Sequence, residues 1–140
     1  MKSVRILLLM SAGFAFHSAH ATVRLTANYF YHRADSIAQK NFNAPFDLVV
    51  LQSDTIGHDG TSEYWKAIFQ NEEKSLIIDF QKGHTSVAVH PCCLTGPASI
   101  RSGWIDSDSA LAIAEKNGGE KFRAHFPHYS ISADLGGDSG

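Results

Sequence analysis

Only two cysteines occur in the 140 residues, adjacent at Cys92-Cys93. No long-range disulfide can staple one chain, so stability must come from a packed core, which a chain of this length can build as one domain. Proline is scarce as well, at four, and the net charge is only −2. With an otherwise ordinary composition, 44% hydrophobic and 19% charged, these exclude a wholly disordered chain, a collagen-like repeat and the clustered basic surface that nucleic acid requires. No apolar run reaches the ~20 residues of a bilayer span. There is no glycine-rich phosphate loop, and no Gly-x-Ser-x-Gly elbow surrounds Ser130 or Ser132, so a hydrolase triad has no local support. Asp54, His58, Asp59 and Gly60 lack the spacing and closing Glu of a calcium loop and read as turn chemistry.

What is present begins with an address. Lys2 and Arg5 precede an apolar run from Ile6 to Phe16, and Ala19-His20-Ala21 supplies small residues where a signal peptidase cuts. Residues 1–21 therefore read as a secretory signal peptide, with cleavage after Ala21 and residues 22–140 forming a single α+β domain. The expected location is secreted or periplasmic, without membrane attachment after cleavage. Losing Lys2 and Arg5 makes the remainder more acidic.

In that remainder, residues 26–41 place Phe30, Ala34, Ile37, Ala38 and Asn41 on one helical face, and Pro45 forbids continuation. From Phe46 the period changes to two. Leu48-Val49-Val50-Leu51 is β-rich, residues 54–60 form a turn cluster, and residues 62–70 alternate Trp65, Ala67, Phe69 against Tyr64, Lys66, Ile68. Leu76, Ile78 and Phe80 alternate with Ile77, Asp79 and Gln81; Lys82-Gly83 turns the chain; Val87 and Val89 share one side of a strand at 85–90. Short turns between four strands predict an antiparallel meander. A second helix starts at Asp106, with Asp108 in its first turn and Asn117-Gly118-Gly119 closing it. Its apolar stripe is Ala110, Leu111 and Ala114, beside Ile113. A last strand spans 129–135. The fold class expected is α+β: an antiparallel sheet of four or five strands with two helices packed on one face.

These stretches resemble the PepSY family of small exported bacterial modules. The likeness rests on Ala34-Asp35-Ser36-Ile37-Ala38, on Tyr64-Trp65-Lys66-Ala67-Ile68-Phe69, on Leu76-Ile77-Ile78-Asp79-Phe80-Gln81-Lys82-Gly83, and on the helix start Asp106-Ser107-Asp108-Ser109-Ala110-Leu111. A first helix-plus-meander unit would cover 27–90 and a second 104–140. That second unit ends after one strand, which reads either as a loose tail or as a unit cut short. The resemblance implies a protein-binding or inhibitory module and no catalytic residues.

Two constellations carry chemistry. His90-Pro91-Cys92-Cys93 combines imidazole and thiols, ligands that suit Zn²⁺ or copper, and His125 and His128 flank Pro127. No established zinc spacing is matched, so no metal or cofactor is expected. The adjacent thiols are open to a strained vicinal bridge, an intermolecular bond or free thiols, since a normal disulfide wants Cα atoms ~4.4–6.8 Å apart and neighbours lie at ~3.8 Å. The second constellation is aromatic. Tyr29, Phe30, Tyr31, Tyr64, Trp65, Phe69, Phe80 and Trp104 exceed what one thin layer must hide. An open second sheet face would present Tyr64, Lys66 and Ile68 to a partner. The expected function is a non-enzymatic, exported protein-binding module acting on another exported protein such as a secreted peptidase. An exported metal- or thiol-redox-handling protein using His90, Cys92 and Cys93 is the alternative.

Overall fold

Helix α1 (Ala27–Asn41) starts where Thr26 Oγ1 accepts a hydrogen bond from the Tyr29 amide at 3.3 Å. It buries Ala27, Phe30, Ala34 and Ala38, the stripe that its period predicts. Its last turn is held from the sheet: Lys74 Nζ donates to the Asn41 carbonyl and lies 5.0 Å from the Phe42 ring centroid. A cation there suits the negative end of the helix dipole. This computed structural model describes residues 22–91, 99–100, 103–128 and 130–136; the expected leader, Cys92, Cys93 and Tyr129 lie outside them.

The chain then forms β1 (Asp47–Ile56), β2 (Tyr64–Gln70), β3 (Lys74–Gln81) and β4 (His84–Pro91). Asn71 Oδ1 accepts from the amides of Glu73 and Lys74 to fix the β2–β3 turn. Lys82 and Gly83, with φ of 48° and 90°, make the two-residue β3–β4 reversal, a geometry whose twist matches the flanking strands. Strand β5 (Ile131–Gly136) pairs antiparallel with the far side of β1, giving an open five-stranded sheet in the order β4-β3-β2-β1-β5.

Alternation along β2 and β3 sends Trp65, Ala67, Phe69, Leu76, Ile78 and Phe80 toward α1, where all are buried. Phe30 stacks on Trp65 at a centroid distance of 6.1 Å, and the Trp65 indole N–H donates to the Leu25 carbonyl at 2.8 Å. A register shift between Leu48 and Val50 lets both Leu48 and Leu51 face this core.

The later helices differ from expectation in extent and packing. Helix α2 (Ser107–Ala114) leads into a kinked turn at Asn117 and Gly118, where Gly118 takes φ 111°, and the chain resumes as α3 (Glu120–His125). The glycine pair redirects a helix rather than ending one, and Arg123 pairs with Glu115 across the kink. Of the predicted α2 stripe only Leu111 is buried; Ala110, Ile113 and Ala114 are exposed. Strand β1 also runs on to Ile56, so the turn shrinks to 57–60.

Three segments meet at the start of α2. Ser107 Oγ accepts from the Ala27 amide at 2.8 Å and donates to the Gly60 carbonyl at 2.7 Å. Asp106 Oδ1 accepts from the amides of Asn28 at 2.8 Å and Ser107 at 2.7 Å. One dipeptide thus satisfies the opening amides of α1 and α2 together. Gly60, at φ 75°, allows the close approach: a Cβ there would stand 2.2 Å from the Asp108 Cα.

Candidate functional site

The alternation that buries Trp65, Ala67 and Phe69 turns Tyr64, Lys66 and Ile68 to the opposite face, where each is half-buried. Cross-strand register extends this row. Ile68 stands opposite Val50 on β1 and Ile77 on β3, and Ile77 stands opposite Ala88 on β4. An apolar band, Val50-Ile68-Ile77-Ala88, therefore crosses four strands. Among the described residues no helix lies on this face; α1 contacts β1, β2 and β3 from the core side.

Polar groups border the band. Lys66 Nζ lies 3.9 Å from Asp79 Oδ1, and Lys82 Nζ lies 6.0 Å from the Tyr64 ring centroid. Both pairs reach solvent, where such contacts orient side chains more than they stabilise the fold. Gln52, Asp54, Tyr64, Lys66, Asp79 and Ser86 line a shallow hollow of about 350 Å³ here. Its polar groups, which donate and accept hydrogen bonds, lie one row along from the apolar band, an arrangement suited to a protein surface.

The sequence identified Tyr64, Lys66 and Ile68 as a row, and they do share a face. It did not identify Val50 or Ala88 as members. Ile77 was legible from its alternation with Leu76 and Ile78, but the β1 register shift reverses the parity of Val50 relative to Leu48.

The other candidates lie elsewhere. His90 is on β4, whereas Cys92 and Cys93 fall outside the described residues. His125 is the last residue of α3, and its Nδ1 is 2.9 Å from the Lys121 carbonyl. The described residues bring no three His, Cys, Asp or Glu side chains together in a group able to hold a metal. Of the aromatic set, Phe30, Trp65, Phe69 and Phe80 are core. Tyr31 and Trp104 meet edge to face at 5.8 Å, half-buried, and burial together with the nearby Asp35 carboxylate raises the Tyr31 phenol pKa. Tyr29 is exposed.

No protein-family model, curated protein or solved structure matches the chain. No described helix is long and apolar enough to cross a membrane.

Proposed function

We propose that the chain is an exported, non-enzymatic module that binds another exported protein through its helix-free sheet face, with Tyr64, Lys66 and Ile68 at the contact. The observation that carries this reading is the half-exposed apolar band Val50-Ile68-Ile77-Ala88 with its polar border. Isolated surface leucines or valines need no explanation, but a contiguous band rimmed by polar groups marks an interaction surface. The likeness to PepSY units supports a secreted peptidase as the partner, held and restrained by shape rather than by chemistry.

The test compares wild type with Ile68→Lys and Tyr64→Ala for binding to, and inhibition of, peptidases secreted by the same cell. A charge at the centre of the band should weaken binding by about 2 kcal/mol, roughly thirtyfold, as for a central interface residue. Equal binding by wild type and both variants would overturn the reading.

A further inference from the structure

Strand β5 meets β1 along one side, and among the described residues no strand lies along the other. Natural sheets guard such edges with charged residues, lysine above all, or with proline, and 131–136 hold a single charge, Asp134, and no lysine, arginine or proline. The opposite edge strand, β4, carries Pro91. Ile131, Ala133 and Leu135 are half-buried on the core side, while Ser132 and Asp134 are exposed. On the core side Leu51, Trp65, Leu111, Ile131 and Leu135 wall a groove of about 350 Å³ that the described residues leave partly open.

The order of side chains in β5 is self-complementary about Ala133. Two antiparallel copies with Ala133 opposite Ala133 set Ile131 against Leu135 twice on the core side and Ser132 against Asp134 twice on the other. Sliding by two residues toward Gly136 puts Asp134 opposite Asp134, and like charges facing each other oppose pairing. Sliding by one sends every apolar residue to the wrong face. The strand thus fits its own reverse in charge and in face.

We propose that two copies of this chain pair edge to edge through β5, about a two-fold axis at Ala133, to form one continuous sheet. The axis stands perpendicular to the sheet, so both helical layers lie on the same side and the two apolar grooves abut across it. The interface is isologous and closes on itself, which removes both β5 edges from further pairing.

The chain freed of its leader is studied by analytical ultracentrifugation from low micromolar to millimolar concentration. Reductant is present so that Cys92 and Cys93 cannot link molecules. Wild type should pass from monomer to dimer. Ser132→Asp places a new carboxylate opposite Asp134 twice and should weaken the dimer about tenfold. Asp134→Lys should still self-associate, and mixed with Ser132→Asp it should draw that variant back into dimers. This rescue separates lost pairing from lost folding. Wild type that stays monomeric throughout, or a dimer indifferent to Ser132→Asp, overturns the proposal. So does a monomer whose β5 edge instead takes up a foreign extended peptide.

Discussion

Ser107 shows how much one small side chain can do when it is buried between helices. Its hydroxyl serves a donor on α1 and an acceptor in the β1–β2 loop, at residues that are both buried. Ser107→Ala leaves the Ala27 amide and the Gly60 carbonyl unpaired and should cost about 1–3 kcal/mol, measured by urea denaturation. A second residue-scale effect lies in the β1–β2 loop. Asp59 Oδ1 accepts from Thr61 Oγ1 at 2.8 Å and from the Thr61 amide at 3.1 Å, with Arg24 nearby at 3.7 Å. The Thr61 hydrogen bonds, first from the side chain and then from the backbone, hold the Asp59 pKa below the ordinary carboxylate range, and Arg24 adds a little. The folded chain therefore binds this proton less readily than the unfolded one. The resulting stabilisation is present above the unfolded carboxylate pKa and is lost as pH falls through the lower, folded value. Asp59 is largely exposed, so the effect is small and local. The Thr61 amide should lose hydrogen-exchange protection in acid, and Asp59→Asn should remove that pH dependence.

At the scale of elements, α1 and the β2–β4 meander were legible because each keeps a strict period over its whole length. Phe30, Ala34 and Ala38 repeat at helical spacing, and Trp65, Ala67 and Phe69 alternate without a break. Strand β1 was less legible, because its shift in register between Leu48 and Val50 depends on pairing with β2 and leaves no mark in a run of four apolar residues. Helix α3 was missed because Gly118-Gly119 is ordinary stop chemistry; only tertiary placement, with Arg123 reaching Glu115, shows the chain resuming. Helix α2 joins the core mainly through Leu111, while Ile113 is 52% exposed. Leu111→Ala should therefore cost about 2–4 kcal/mol in thermal or chemical unfolding. Ile113→Ala should fall within about 0.5 kcal/mol of wild type. Comparable losses at the two positions would show that α2 packs through a different face.

On the scale of the whole molecule, the sheet divides the labour. One face carries the helices and the buried aromatic residues; the other carries Tyr64, Lys66 and Ile68, with little of the core resting on them. Ile68→Lys should accordingly leave unfolding free energy nearly unchanged, within about 1 kcal/mol, while weakening the proposed partner binding about thirtyfold. The site was readable in the sequence as far as strand parity allowed. Its width was not, because Val50 and Ala88 join the band only through inter-strand register. The meeting point at Asp106 and Ser107 was equally hidden: the sequence marks Asp106 as the start of its own helix, and nothing local shows its reach to Asn28.

That long reach orders events as the chain emerges. The amides of Ala27 and Asn28 find their acceptors 80 and 78 residues downstream. A nascent molecule can close the β2–β3 and β3–β4 turns early, from neighbouring residues alone. In its first helix, by contrast, Thr26 caps the Tyr29 amide at once, but the Ala27 and Asn28 amides keep only water until the second half has been made, so full cooperativity arrives only when late-synthesised residues fold back onto the earliest.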